Sequence, residues 1–157
     1  RGPIIAGTVK QFYSDIIWGD IDYMFIDCPP GTGDVPLTIF QSIPIDGVVV
    51  VTTPQDLVSV IVGKAVHMAD SMNIPVIGMI ENMSYFICPD CNNKHYIFGK
   101  SQLEQVIRDL YIGHAIRLPI NPSLAGLMDR GEIEHMEANA DLQEFADLIS
   151  TFDPDKY

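Results

Sequence analysis

The stretch GVVVVTT at Gly47–Thr53 decides the fold. It is a continuous run of β-branched residues, and two further runs share its character: IDYMFID at Ile21–Asp27 and IPVIGMIEN at Ile74–Asn82. Runs that are apolar nearly throughout are expected where helices cover both faces of a parallel sheet. The three segments therefore predict three buried parallel strands.

Helical stretches lie between these predicted strands. Val35–Ser42 follows the first strand, and Val58–Asn73 follows the second with a helical spacing of alanine, methionine and valine. A strand–helix–strand spacing of about 25–30 residues is that of a βαβ unit. We therefore predict an α/β fold, with a doubly wound, mostly parallel sheet and helices on both faces.

The rest of the chain extends this pattern without a repeat or a linker, so we predict a single α/β domain over residues 1–157. A polar insertion at about residues 84–99 follows the third strand and holds two cysteines. The other predicted elements are a first helix at Thr8–Ile17, a helix at Ser101–Leu110, a strand at Tyr111–Leu118 and closing helices at Asn121–Asp129 and Asp141–Thr151.

The chain is acidic, because its 157 residues include 9 Lys and Arg against 21 Asp and Glu, a net charge of −12. This charge argues against binding to a nucleic acid backbone or to an anionic membrane surface, since both need a basic face. No apolar run approaches the roughly 18–20 residues of a membrane span. Three cysteines, an odd and small number, are typical of a reducing compartment, so we expect a cytoplasmic protein. The sequence begins Arg1-Gly2-Pro3 without a signal sequence, and we interpret it as cut from a longer protein.

The stretch MFIDCPPGTGD at Met24–Asp34 holds the first candidate site. The predicted strand places Asp27 at its carboxyl end, which is the edge where parallel sheets bind ligands. A lone acid there can hold Mg²⁺ through water beside phosphates. Gly31 and Gly33 then allow close backbone approach to a ligand. The alternative is a loop that merely leaves a strand, with Asp27 capping a neighbouring element.

A second candidate site is the C-x-x-C motif Cys88-Pro89-Asp90-Cys91. Two thiolates three positions apart on a tight turn can hold one soft metal ion or two corners of an iron–sulfur cluster. Both usually take four ligands, and a two-fold dimer would supply a second cysteine pair. The motif alone favours zinc over a cluster, and a thioredoxin-like redox pair is disfavoured because a turn follows it instead of a helix. His95 is a further candidate ligand, although His95–Phe98 has the pattern of a short half-buried strand, which favours local packing or hydrogen bonding.

Four ordered motifs are DCPPGTGD at 27–34, VVTTPQD at 50–56, IENMSYFICPDC at 80–91 and HYIFG at 95–99. Together they resemble the Mrp family of deviant-P-loop ATPases, a MinD/ParA-like class implicated in iron–sulfur cluster carriage and assembly. The resemblance runs from Arg1 to about Ile149. It implies a P-loop NTPase fold, ATP and Mg²⁺ as cofactors, and a [4Fe–4S] cluster bridged between the Cys88 and Cys91 pairs of two protomers.

The resemblance also implies roles around the phosphates. Asp27 corresponds to the Walker B acid that helps hold Mg²⁺, and it is the catalytic residue we expect. The loop after it corresponds to the switch region near the γ-phosphate. The switch residues expected to contact the nucleotide are Pro30, Gly31, Thr32 and Gly33.

Near the adenine base of the nucleotide, the family uses the asparagine of its ENMS-type segment, and here that residue is Asn82. Its amide offers both a donor and an acceptor to an adenine edge. The alternative is a strand-end asparagine that makes an Asx-turn. Pro119 ends the next predicted strand, so we expect it to border the same pocket.

One family motif is absent from these 157 residues, because the phosphate-binding loop of the KGGVGK[ST] kind lies upstream of the part that matches. Gly99-Lys100-Ser101 looks like the end of such a loop, but the pattern G-x-x-x-x-G-K-[ST] needs glycine at position 94, where Lys94 stands. We therefore interpret the chain as the C-terminal portion of the domain. ATP hydrolysis is expected of the full-length protein and not of this chain alone.

The leading hypothesis is an ATP-dependent iron–sulfur cluster carrier. It would be a homodimer that transfers a [4Fe–4S] cluster to apo iron–sulfur proteins, with ATP hydrolysis as a conformational switch. Two alternatives stay open. One is a zinc-stapled dimeric nucleotide-binding module that places Zn²⁺ on the same sulfurs, and the other is a partitioning or positioning ATPase of MinD/ParA type, which does not need the cysteine pair.

Overall fold

The structure is a computed structural model that describes residues 2–55, 58–136 and 139–156. Helices and strands alternate along most of this length, and two short 3₁₀ turns lie at Ile133–His135 and Pro154–Lys156. The main elements are α1 (Gly2–Ser14), α2 (Asp34–Ser42), β1 (Val48–Thr52), α3 (Val58–Ser71), β2 (Val76–Ile87), β3 (Lys94–His95), α4 (Leu103–Asp109), β4 (Ala115–Pro119), α5 (Pro122–Arg130) and α6 (Ala140–Ser150).

The sheet is built around β2, which has a parallel neighbour on each side. β1 pairs with its first half in the register Val50↔Met79, and β4 pairs with its other edge in the register Met79↔Ala115. The short β3 is antiparallel and pairs only with the last two residues of β2. The predicted α/β fold with a mostly parallel sheet is confirmed.

Helices cover both faces of β2, as two adjacent residues of that strand show. Met79 is fully buried in a core cluster with Val62 and Val66 of α3 and with Leu103 of α4. A Cβ atom on Gly78 would lie 2.8 Å from Phe145 of α6. Because successive strand residues point to opposite faces, α3 and α4 lie on one side of the sheet and α6 lies on the other.

The prediction of a strand at Ile21–Asp27 is wrong, since this segment has no regular secondary structure. Most of its apolar side chains are solvent-exposed, and the rings of Tyr23 and Phe25 stack on each other at 6.5 Å. β-propensity forms a strand only where a neighbour accepts the backbone hydrogen bonds. Among the described residues no strand pairs with this segment or with the outer edge of β1.

The segment after the third predicted strand also differs from expectation. β2 continues to Ile87, so the first part of the predicted insertion at residues 84–99 belongs to the sheet. The predicted strand at His95–Phe98 is reduced to β3, and residues 95–98 are exposed. In the part of the chain that is described, every helix is too short or too polar to cross a membrane.

Candidate functional site

The C-x-x-C motif lies at the tip of a hairpin formed by the end of β2 and by β3. Phe86 pairs with His95 and Ile87 pairs with Lys94. Beyond the last pair, the Cys88 amide donates to the Asn93 carbonyl at 3.0 Å, and the Asn92 amide donates to the Cys88 carbonyl at 2.9 Å. These bonds close a tight turn that presents the cysteines away from the sheet.

The turn brings three metal-binding side chains together. One ligand atom each from Cys88, Cys91 and His95 lies within 4.8 Å of the other two. Cys88 is half-buried, whereas Cys91 and His95 are exposed. The two predicted metal ligands are therefore adjacent and accessible. The expectation that His95 packs locally is wrong, because β3 ends at this residue and leaves its ring at the surface.

The two half-buried cysteines differ in acidity. The backbone amides of Cys91 and Asp90 donate hydrogen bonds to the Cys88 sulfur, and with the Cys91 thiol they lower the pKa of Cys88. Burial and the neighbouring Asp27 carboxylate raise the pKa of Cys28. Because the thiolate is the form that binds metal, these pKa shifts favour Cys88 over Cys28 as a candidate ligand.

Asn82 does not end a strand, as the sequence predicts, but lies at a break inside β2. Between the pairs Glu81↔Arg117 and Tyr85↔Pro119, residues 82–84 of β2 lie opposite residue 118 of β4. Met83 takes a left-handed φ of 55°, which is uncommon for a residue with a side chain. The side-chain amide oxygen (Oδ1) of Asn82 accepts a hydrogen bond from the Met83 backbone amide at 2.9 Å. Because β2 pairs with β4, Asn82 and Pro119 lie on neighbouring strands, with Asn82 at the break and Pro119 at the end of β4.

A buried carboxylate lies directly beside this break. Glu81 is 3% exposed, and its two oxygens accept hydrogen bonds from Ser84 at 2.5 Å and from Ser101 at 2.9 Å. Arg117 donates to the Ser101 hydroxyl at 3.1 Å and lies 3.6 Å from the Glu81 carboxylate. A buried charge needs such partners, since desolvation without them costs several kcal/mol (about 3–5 when a partner is lost).

The guanidinium of Arg117 extends this network to the surface, where it forms an ion pair with Glu104 of α4. That pair lowers the pKa of Glu104 and raises the pKa of Arg117. The network Glu81–Ser84–Ser101–Arg117–Glu104 thus connects β2, β4 and the start of α4. It also gives Ser101 a structural role at the position where the sequence shows the end of an apparent phosphate loop.

The predicted phosphate-side residues lie in a separate segment between α1 and α2. Asp27 is exposed, and so are all the predicted switch residues after it. Gly31 has a left-handed φ of 88°, which its missing side chain permits. Gly33 is the N-cap of α2, and its carbonyl accepts the Leu37 amide at 3.2 Å. The loop therefore turns sharply and leads directly into a helix N-terminus.

The fold and these motifs agree with one family of known proteins. A family model described as "ParA: NUBPL iron-transfer P-loop NTPase" matches residues 1–152. The chain belongs to this family. The resemblance to the Mrp family is confirmed, because the curated relatives that match this chain are named iron–sulfur cluster carrier proteins.

Among these relatives, the carrier protein of Methanocaldococcus jannaschii is 47% identical over 132 residues, 83% of this chain and 46% of its own length. That of Methanococcus maripaludis is 40% identical over 153 residues, 96% of this chain and 53% of its own length. The chain thus spans about half the length of the curated ParA-family relatives it matches.

A solved structure resembles this ParA-family chain over nearly its whole length. It is a nucleotide-binding protein of Archaeoglobus fulgidus, described as a complex with ADP in which cobalt was found. The sequences are 38% identical, the TM-score is 0.79, and the match covers 96% of this chain and 58% of that one. The agreement supports the P-loop NTPase fold independently of the sequence motifs.

Sequence reasoning missed the buried network of this ParA-family chain. One signal was present, because Glu81 is a lone acid within the apolar run Ile74–Asn82, and acids are almost never buried without partners. Its partners carry no local signal. Ser101 is 20 residues away in sequence from Glu81, and Arg117 is 16 residues away from Ser101.

Proposed function

We propose that the protein is an ATP-dependent iron–sulfur cluster carrier. It would act as a cytoplasmic homodimer that holds a [4Fe–4S] cluster and transfers it to apo iron–sulfur proteins. The observation that carries the proposal is that half-buried Cys88 and exposed Cys91 lie together at the tip of a hydrogen-bonded hairpin. The names of the curated relatives, which are iron–sulfur cluster carrier proteins, support the same cargo.

A dimer follows from the number of sulfurs. A [4Fe–4S] cluster takes four thiolates, and the hairpin supplies two. A two-fold axis beside the hairpin would place the partner's Cys88 and Cys91 on the opposite side of the cluster. Cys28 does not complete the set in this proposal, since it lies in the segment between α1 and α2 and burial raises its pKa.

ATP would bind at the loop between α1 and α2. In this proposal Asp27 holds Mg²⁺, and the loop from Pro30 to Gly33 senses the γ-phosphate. The exposure of Asp27 and the sharp turn at Gly31 support that role. Asn82 and Pro119 would border the adenine, and their places on neighbouring strands support a shared pocket. These residues form part of a single α/β domain in which the hairpin is an insertion.

One strand offers a route between the two sites. β2 carries Asn82 at its break and leads directly to Cys88, roughly 20 Å further along an extended strand. The strained φ of Met83 and the buried Glu81 lie at that break. We propose that hydrolysis acts as a switch through this strand, so that the nucleotide state changes how firmly the hairpins hold the cluster.

The cargo is tested by reconstituting the full-length protein anaerobically with iron and sulfide. We expect a brown protein with charge-transfer absorbance and one cluster per dimer. Cys88→Ser should abolish loading and dimer formation, whereas the control Cys28→Ser should retain both. Colourless protein with stoichiometric zinc would identify the zinc-stapled module, and a monomer that takes up no cluster would contradict the proposal.

The nucleotide site is tested by ATP turnover of the full-length protein. Asp27→Asn should remove Mg²⁺-dependent hydrolysis, while Asp46→Asn, an exposed acid before β1, should leave it unchanged. Cys88→Ala together with Cys91→Ala should spare hydrolysis and abolish cluster transfer. If the double variant keeps the protein's cellular function, the partitioning ATPase is favoured over the carrier.

A further inference from the structure

We infer that Cys88, Cys91 and His95 of a single chain form a mononuclear site for one thiophilic divalent ion such as Zn²⁺ or Co²⁺. The inference deepens the proposed function and rests on its assignment of the two cysteines as metal ligands. It adds a third ligand, His95, and a state in which a monomer holds one metal ion. The ligand atoms of these residues lie within 4.8 Å of one another.

The register of the hairpin explains why the histidine reaches the cysteines. Alternate residues of a strand share a face, so Phe86 and Cys88 point the same way. Directly opposed residues of an antiparallel pair also share a face, and His95 is opposite Phe86. His95 is therefore on the Cys88 side of the hairpin, and the turn brings Cys91 back to the same side.

Contacts within the hairpin hold this side in place. The Cys88 amide bonds to the Asn93 carbonyl at 3.0 Å, which continues the ladder beyond β3. On the other face, the ammonium of Lys94 lies 4.3 Å from the centre of the Tyr85 ring. This contact secures β3 against β2 and leaves His95 free to turn its ring toward the sulfurs.

The donor set matches a known coordination pattern. Two thiolates and one imidazole bind Zn²⁺ tetrahedrally, with metal–ligand distances of about 2.0–2.3 Å. Such a site places its ligand atoms roughly 3.3–3.8 Å apart, so small side-chain rotations from the observed arrangement are enough. Three protein ligands leave a fourth position open, as in catalytic zinc sites. An incoming thiolate from a partner or a recipient protein could occupy it.

The site differs from the cluster in stoichiometry. A bridged cluster needs four sulfurs and therefore two chains, whereas all three ligands of the Cys₂His set come from one chain. Metal binding to the monomer should consequently reach one ion per chain without association. The cluster-bound dimer should not depend on His95, since its ligands are the four cysteines.

The test is a Co²⁺ titration of the reduced full-length protein under anaerobic conditions. We expect one Co²⁺ per chain, intense visible bands of tetrahedral cobalt, and a monomer by analytical ultracentrifugation. His95→Ala should weaken Co²⁺ binding by at least about 10-fold, the loss produced even by outer-shell partners, and should change the band pattern. The matched control is His67→Ala on the exposed side of α3, which should bind Co²⁺ as the unaltered protein does.

A third variant distinguishes loss of a ligand from misfolding, and a second readout distinguishes failure of this inference from failure of the proposed function. His95→Cys should restore tight binding with a sulfur-richer spectrum, which excludes misfolding as the cause of the loss. Unchanged affinity and spectrum in His95→Ala, or one Co²⁺ per two chains, would overturn the inference. Cluster loading of His95→Ala is measured in parallel. If the unaltered protein takes up no cluster while Co²⁺ binding still needs His95, the proposed function fails and the mononuclear site remains.

Discussion

The acidity of Cys88 is set by its position in the hairpin turn. Backbone amides of Cys91 and Asp90 point at its sulfur and stabilise the thiolate, so its pKa lies below the ordinary value. Cys28 has the opposite environment, because burial and the Asp27 carboxylate raise its pKa. The same residue type thus has a stabilised thiolate in one loop and a destabilised thiolate in another.

This contrast predicts the order of alkylation. In the reduced, metal-free protein, Cys88 should react with iodoacetamide faster than Cys28 near neutral pH, because a lowered pKa populates the thiolate at lower pH. Peptide mass spectrometry across a pH series measures both rates, and the Cys88 midpoint should lie at the lower pH. Equal midpoints, or earlier modification of Cys28, would contradict the hydrogen-bonding explanation.

Ser84 is the residue on which the buried carboxylate depends most directly. It is fully buried, and its hydroxyl donates to Glu81 at 2.5 Å. Ser84→Ala removes a hydrogen bond to a charged group and should lower the free energy of unfolding by about 1–3 kcal/mol. Urea denaturation measures the change, and Ser123→Ala at an exposed position is the control. A loss no larger than that of the control would mean that Glu81 finds another donor.

At the scale of elements, the contact between β2 and α6 depends on a missing side chain. A Cβ on Gly78 would lie 2.9 Å from the His114 carbonyl and 2.8 Å from the Phe145 ring. The backbone carbonyl cannot rotate away, so Gly78→Ala should destabilise the protein by about 1–3 kcal/mol through overpacking. Thermal denaturation measures the effect.

The matched control for that substitution is Gly63→Ala in α3. Among the described residues, nothing lies within 4 Å of the added methyl group, and alanine is preferred to glycine in a helix by about 0.5–1 kcal/mol. Gly63→Ala should therefore stabilise the protein while Gly78→Ala destabilises it. Shifts of the same sign would show that α6 moves aside and that the close approach to β2 is not required.

The elements also show how far the sequence predicts the structure. The apolar runs correctly predict β1 and the first half of β2. The prediction is right there because both segments have parallel partner strands. The equally apolar Ile21–Asp27 forms no strand, because propensity cannot supply a neighbouring edge. The break at Met83 has no sequence signal either, since a left-handed φ there arises from how β2 and β4 are paired.

For the candidate site, sequence spacing predicts the cysteine pair, whereas strand register determines the position of the histidine. The spacing of Cys88 and Cys91 predicts a shared ligand position, and one turn brings them together. His95 joins them only through the pairing with Phe86, which the sequence does not specify. The partners of Glu81 are equally hidden, because Ser101 and Arg117 reach it from different elements.

At the scale of the whole molecule, acidic residues outnumber basic ones by 21 to 9. The net charge of −12 disfavours the compact state through self-repulsion. The ion pairs that oppose it, such as Arg130–Glu132 and Lys156–Asp153, are exposed and each contributes at most about 1 kcal/mol. Repulsion among unpaired acids therefore outweighs these local attractions at low ionic strength.

Salt should consequently stabilise the protein. Raising the ionic strength from about 0.01 M to 0.15 M shortens the Debye length from about 30 Å to 8 Å and screens the repulsion between distant acids. We expect the Tm to rise by about 2–4 °C, which corresponds to about 1 kcal/mol for a chain of this size. Scanning calorimetry in NaCl and in KCl should give the same rise, because screening does not depend on the cation. A Tm that falls with salt would show that the ion pairs, including the partly exposed Arg117–Glu104, stabilise the protein more than the excess of negative charge destabilises it.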